Sequence, residues 1–325
     1  MVQVFSTKKD VPSMYPFLLP TENGVGARKY YHYQPIEYSI SADGKTWNSC
    51  FDVPDLEGVY CYRSPDVQPA VQTDNLKKIG LMDGQRLLSS SYDTRQITMQ
   101  VVAMDNIDES DSLLAYDALQ RFLVSREAYW ICFSQWPQRM YYVKAKLSVP
   151  TFTANSWTAT VTFTDLIGLS RSVGTSLTYT QNAGFGNNLK NTKQEYTFTG
   201  NSFAVYNPSD VMIDPERRGH ELKVIFEGQS SGGLKITNKT TGDSISRVGA
   251  YTTGSSGDKP ATNKEGQSPF NGTWEINGVR TTLNGKSDQM QTDNGVIRLQ
   301  PGNNEIMVDN FSGKITFDFP FWWLS

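Results

Sequence analysis

Apolar residues recur at every second position through much of the chain. From Trp157 to Phe163 the order is Trp, Thr, Ala, Thr, Val, Thr, Phe, which places Trp157, Ala159, Val161 and Phe163 on one face. Tyr141, Val143, Ala145 and Leu147 alternate with Tyr142, Lys144, Lys146 and Ser148. From Ile97 to Val101 apolar residues alternate with Thr98 and Gln100. Successive strand side chains point to opposite faces, so each segment reads as an antiparallel strand with one buried and one wet face. One stretch changes period. Leu113, Leu114, Tyr116, Leu119, Phe122 and Leu123 recur at three and four, behind Asp108, Glu109, Ser110 and Asp111 and with Arg121 and Arg126 toward the end. Acids at the start and bases at the end complement a helix dipole, so one amphipathic helix is predicted near 111–125, covering a sheet.

After Phe163 the alternation breaks. Gly168, Gly174, Gly184 and Gly186 punctuate a Ser-, Thr- and Asn-rich stretch that reads as a linker over 166–195, with a short strand at Leu177 to Tyr179. Beyond it, strands are predicted at Tyr196–Phe198, Leu222–Phe226, Leu234–Thr237, Thr273–Ile276, Val296–Leu299, Glu305–Val308 and Lys314–Phe319. Short strands set off by Gly, Asn and Pro clusters fit a sandwich. Tyr251 to Pro269 is polar and glycine-bearing, a long mobile loop. The expected fold is all-β with one helix. An N-terminal β-sandwich domain spans 1–165, the linker 166–195 and a second β-sandwich 196–325.

Composition narrows the function. The 325 residues carry 30 basic and 33 acidic side chains, a net charge of -3. A sequence-independent nucleic-acid binder needs a basic surplus to displace phosphate counterions, so no nucleic-acid partner is expected. No apolar run approaches the roughly 18 residues of a membrane span; Phe317 to Leu324 is interrupted by Asp318 and Pro320. No apolar segment follows Lys8 and Lys9, so no cleaved secretion signal is expected. Cys50, Cys61 and Cys132 are odd in number and lack CxxC spacing, as in a chain folded in a reducing cytosol.

Candidate chemistry is sparse. Three cysteines and two histidines lack the closely spaced pairs of a zinc site, and neither a metal nor a cofactor is expected. His32 and His220 have no nucleophile motif beside them and read as solvated loop residues. Asn23-Gly24-Val25-Gly26 and Gly184-Phe185-Gly186 do not complete GxGxxG and read as turns. Asp214-Pro215-Glu216 brings two carboxylates together in a turn, not across a cleft as glycoside hydrolysis requires. Without an acid-base or nucleophile constellation, an enzyme is not expected. Trp274, Tyr251 and Phe321-Trp322-Trp323 remain, as stacking platforms for sugar rings or as anchors of core and interface; the C-terminal aromatics take the second reading.

Several segments together resemble the distal tail proteins (Dit) of long-tailed phages that infect Gram-positive bacteria. The first is Asp83-Gly84-Gln85-Arg86-Leu87-Leu88-Ser89-Ser90-Ser91-Tyr92, leading into Gln96 to Val101. The acid-capped helix ending at Phe122-Leu123 follows, then Tyr129-Trp130-Ile131-Cys132-Phe133. The strands Tyr141–Leu147 and Trp157–Phe163 come next and run into Thr164-Asp165, where Leu166 stands in place of the family's proline. Asn207-Pro208, Leu222-Lys223-Val224-Ile225 and Ile236 to Gly242 are similar to the family's galectin-like end domain. So are Leu299 to Ile306, with a tight turn at Pro301-Gly302-Asn303-Asn304, and Ile315 to Leu324. The resemblance runs over residues 80–325, and residues 1–79 lie outside it.

The resemblance implies a structural protein: a homo-hexameric ring at the phage tail tip, assembled in the host cytoplasm. It would join the tail tube protein above to a tail-associated lysin or fibre protein below. The galectin-like domain would project outward and hold receptor-binding protein or touch host saccharide. The alternative is a carbohydrate-binding module or receptor-binding protein acting on host cell-wall saccharide. Galectin-type sugar sites stack the ligand on a tryptophan flanked by His, Asn, Arg and Glu. Trp274, next to Glu275 and between Asn271-Gly272 and Asn277-Gly278, is the candidate saccharide contact, although His220 lies far off in sequence. The same local sequence suits an indole buried against the opposite sheet. The aromatic-rich residues 1–79 are the expected arm for embracing a neighbouring copy.

Overall fold

The computed structural model describes residues 2–8, 15–18, 30–33, 35–81, 83–104, 108–153, 156–179, 188–190, 192–248, 252–253, 260–261 and 268–325. The chain forms two compact units. Val2–Val173 with Leu324–Ser325 make the first, and Gly174–Trp323 lies in the second.

The first unit is built on an antiparallel sheet. Its strands are β1 (Tyr38–Ser41), β2 (Val59–Cys61), β5 (Arg95–Ala103), β6 (Tyr129–Phe133), β7 (Arg139–Leu147) and β8 (Ser156–Asp165). Between β2 and β5 in sequence lie β3 (Val71–Lys77) and β4 (Arg86–Asp93), which pair with each other as a two-stranded sheet. Across the main sheet the order is β1, β6, β7, β8, β5, β2, with Asn48–Ser49 on the outer edge of β1. The alternation read from the sequence sets the register. Trp157, Ala159, Val161 and Phe163 of β8 are buried beside Ile97, Met99, Val101 and Ala103 of β5, while Thr158 is exposed and Thr160 and Thr162 half-buried. Each fully buried Val or Phe on that face contributes about 1.5–3 kcal/mol.

Helix α1 (Glu109–Leu123) closes this core. The Asp108 side chain accepts the Asp111 N–H at 2.9 Å, satisfying an amide that the first turn leaves unpaired. At the far end the Tyr129 hydroxyl donates to the Leu123 carbonyl at 2.7 Å. Ala115, Ala118, Leu119 and Leu123 face inward, and Trp157 donates its indole N–H to the Ser112 carbonyl at 2.9 Å. Leu113 and Leu114, expected in the apolar stripe, are instead 52% and 63% exposed. Residues 1–79 are not simply an arm: Tyr38, Cys50, Leu56, Val59 and Cys61 belong to the core of this unit.

The second unit is a β-sandwich. One sheet contains β10 (Lys223–Ser230), β13 (Phe270–Asn277), β14 (Arg280–Leu283) and β16 (Ser312–Asp318), in the order β16, β10, β13, β14, with Thr197–Phe198 outside β16. The other orders β9 (Ser202–Asn207), β15 (Gly302–Asp309), β11 (Lys235–Asn238) and β12 (Asp243–Ser246). Phe203 of β9 stacks on Phe198 at 4.1 Å and meets Phe317 of β16 at 6.0 Å, which joins the two layers. Gly228 stands in register with Gly272 on one side and Gly313 on the other, with φ of +158°, +134° and +153°. A Cβ at Gly228 would lie 2.3 Å from the Ser312 carbonyl oxygen and 3.1 Å from the Phe311 ring, so this row requires glycine.

Several expected elements differ. Leu177–Tyr179 is a turn, with the Thr178 and Tyr179 amides both donating to the Thr175 carbonyl, and Tyr179 packs edge-on against Phe321. Val296–Leu299 forms no strand but a single bridge between Leu299 and Ile213. Strand β15 already begins at Gly302, within the expected tight turn, where buried Asn304 exchanges hydrogen bonds with Gln300 and accepts one from the Asn238 side-chain amide. Within 166–195, Leu169 and Val173 are buried on one side of the unit boundary and Ser176 and Tyr179 on the other. Of the expected loop 251–269, the pair Thr252–Thr253 and Pro260–Ala261 and residues 268–269 are described; the rest, with both glycine turns, lies outside the described residues.

Candidate functional site

Trp274 sits on β13 opposite Phe226 of β10 and Leu283 of β14. It is fully buried, with its ring 5.2 Å from Phe226, and its indole N–H has no hydrogen-bond partner among the described residues. Stacking on a sugar needs an exposed face, which this ring does not offer. Phe321, Trp322 and Trp323 are likewise buried; Phe321 packs edge-on to Phe319 at 5.6 Å and to Trp323 at 6.1 Å. They act as core.

His220 is not a solvated loop residue. It is buried and stacked on Trp322 at 5.1 Å, and its Nδ1 lies 3.0 Å from the Met212 carbonyl oxygen. Burial holds its pKa below the usual histidine value. His32 lies on the strand Tyr30–Tyr33, whose side chains fall outside the described residues. Asp214 and Glu216 make no catalytic pair. One Asp214 carboxylate oxygen accepts the Glu216 and Arg217 amides at 3.1 and 2.9 Å, the geometry of a turn-forming aspartate. Cys50, Cys61 and Cys132 are free and buried, and burial pushes all three thiols up, Cys61 to about 12. Such thiols are poor nucleophiles. Among the described residues no three His, Cys, Asp or Glu side chains cluster to hold a metal, and no helix is long and apolar enough to cross a membrane.

Buried charge serves the framework. Arg95 and Asp165 meet at 2.9 Å with both side chains fully buried. Asp165 also accepts the Ile167 and Gly168 amides, and Arg95 donates to the Gln68 and Leu324 carbonyls. In the second unit Arg247 grips Asp288 through two bonds, at 2.7 and 3.1 Å. These partners lie 70 and 41 residues apart, beyond any local motif. A cleft of about 470 Å³ in the second unit is lined by Gln229, Asn271, Asn310 and Ser312 beside Phe270 and Phe311. None of these side chains is charged.

The β3–β4 hairpin carries a run of exposed apolar side chains. Every described residue from Val71 to Ser89 is exposed, including Leu76, Ile79, Leu87 and Leu88, and Leu81 is 102% exposed. Leu76 stands opposite Leu87 and Lys77 opposite Arg86. A two-stranded hairpin with no buried face is marginal in water on its own. The sequence hid the hairpin because neither strand shows the alternation that burial of one face imposes.

Residues 60–164, from β2 through β8, match the family model described as phage tail protein RIFT-related domain. Among solved structures, the Dit protein (gp 19.1) of phage SPP1, presented as a paradigm of the hub adsorption apparatus in Gram-positive-infecting phages, is similar at a TM-score of 0.54. The two are 16% identical, over 87% of this chain and 99% of that one. Chains of the phage P2 baseplate in its activated conformation, with Ca and with Sr, reach 0.37 and 0.35. Their identities are 12% and 14%, over 88% of this chain and 98% and 97% of theirs. Scores that low support no comparison of fold. No curated protein matches the chain. The resemblance to siphophage distal tail proteins is thus borne out by a match to the phage-tail family model over about a third of the chain and by an all-β fold similar to that of SPP1 Dit.

Proposed function

We propose that the chain is a structural component of the phage tail tip, in which residues 1–165 close into a homo-hexameric ring. The ring joins the tail tube protein to a tail-associated lysin or fibre protein, and 166–195 links it to the galectin-like domain 196–325, which supports the host-adhesion components. The observation that carries this reading is the exposed β3–β4 hairpin, within the segment that matches the phage-tail model. An apolar arm with no buried face suits a subunit whose fold is completed by a neighbour. Replacing Leu76, Leu81 and Leu87 together by serine should reduce the particle measured by light scattering to a single chain of 36.4 kDa. A triple variant that keeps the wild-type assembly would count against the hairpin as the assembly element.

A second reading, saccharide contact by the galectin-like domain, draws on the uncharged amide-lined cleft around Asn271 and Asn310 rather than on Trp274. Amides and hydroxyls can exchange hydrogen bonds with the hydroxyls of a neutral sugar.

A further inference from the structure

A closed ring needs two different patches on each subunit, one to give and one to receive. The hairpin is one. On the same unit a groove of about 580 Å³, between α1, the turn Pro54–Leu56 and Met104 just after β5, has the form to receive. Its apolar lining is Tyr60, Met104, Leu114 and Ala115, and Leu114 is the outward-facing leucine that the helix does not bury. Its acidic lining is Asp55, Glu57 and Asp111. Among the described residues that line it, the one cation is Arg121, which is engaged by Asp117 at 3.3 Å.

The hairpin tip is the counterpart in both respects. Leu81 and Ile79 project from the turn, and Lys77, Lys78 and Arg86 surround them against a single acid, Asp83. Lys77 and Arg86 are cross-strand partners and share a face. The seven residues of β3, paired with the eight of β4, carry that tip about 23 Å from the hairpin base, a reach suited to a neighbouring copy.

We propose that the tip of the β3–β4 hairpin docks into the α1 groove of the adjacent copy. Leu81 and Ile79 lie against Leu114 and Met104, and Lys77, Lys78 and Arg86 lie over Asp55, Glu57 and Asp111. The inference rests on the ring reading above and specifies the contact that closes it.

Charge reversal on the full-length chain tests it. One variant carries D55K and E57K in the groove, and the other carries K77E and K78E on the hairpin. All four positions are exposed, and unchanged melting curves confirm that each variant folds. Each variant alone sets like charges against each other, and its association should weaken at least about tenfold. Mixed in equal amounts, they should recover the wild-type particle, because every contact in an alternating ring again joins opposite charges. If the wild-type chain is itself monomeric, the ring reading fails and the docking falls with it. If the wild type assembles but the variants still associate normally, or their mixture does not recover, the ring stands and the docking site is wrong.

Discussion

Replacing Trp274 by alanine separates a core indole from a sugar platform. The ring is fully buried, in register with Phe226 and Leu283, and 5.2 Å from the Phe226 ring. Truncating a buried Trp to Ala costs about 3–5 kcal/mol. With a urea dependence of about 2 kcal/mol per molar, that moves the unfolding midpoint of the second unit down by about 2 M. Trp274→Phe should behave differently. It forfeits part of the buried ring, but it also removes an indole N–H that has no partner, and a buried unsatisfied donor costs about 1–3 kcal/mol. The two effects oppose, and the net loss should stay below about 1.5 kcal/mol. Urea titration of the full chain, followed by far-ultraviolet circular dichroism, reads both variants. If Trp274→Ala unfolds at the wild-type midpoint while binding to host cell-wall polysaccharide disappears, the core assignment is refuted. If Trp274→Phe costs as much as alanine, the N–H is engaged after all.

Asp165→Ala should lower the stability of the first unit by about 3–5 kcal/mol, because it leaves the Arg95 guanidinium buried without its counter-charge. The double variant with Arg95→Met should lose less than Asp165→Ala alone, and a larger loss in thermal melting would contradict the pairing argument. His220 supplies a pH dependence. Burial depresses its folded pKa below 6.5, so the fold favours neutral imidazole; its contribution is present above pH 6.5 and lost as pH falls through the depressed value. The melting temperature of wild type relative to His220→Gln should therefore drop between pH 7.5 and 5, and a constant difference would show that the ring is not held neutral.

Local periodicity made the layered framework legible. Trp157–Phe163, Tyr141–Leu147 and Ile97–Val101 alternate because one face of each is buried, and the structure places all three as neighbouring strands. The helix was legible for the same reason, yet Leu113 and Leu114 share its apolar stripe while facing outward. A pattern that records apolarity cannot distinguish a face covered by the chain's own core from one left for a partner. The hairpin is the reverse case, since its strands have no buried face and leave no alternation to read. His220 is packed by Trp322, 102 positions along the chain, and Arg95 by Asp165; contacts this distant leave no mark on adjacent residues. Trp274 could be placed on a strand from its neighbours, but its burial depended on Phe226, whose register only the folded sheet defines.

The central claim, that copies of this chain close into a ring, is tested most directly by the mass of the purified wild-type protein in solution. Multi-angle light scattering across a range of concentrations should give a single particle of about 220 kDa, six chains of 36.4 kDa each. A mass that stays at 36.4 kDa at the highest concentration reached would contradict it.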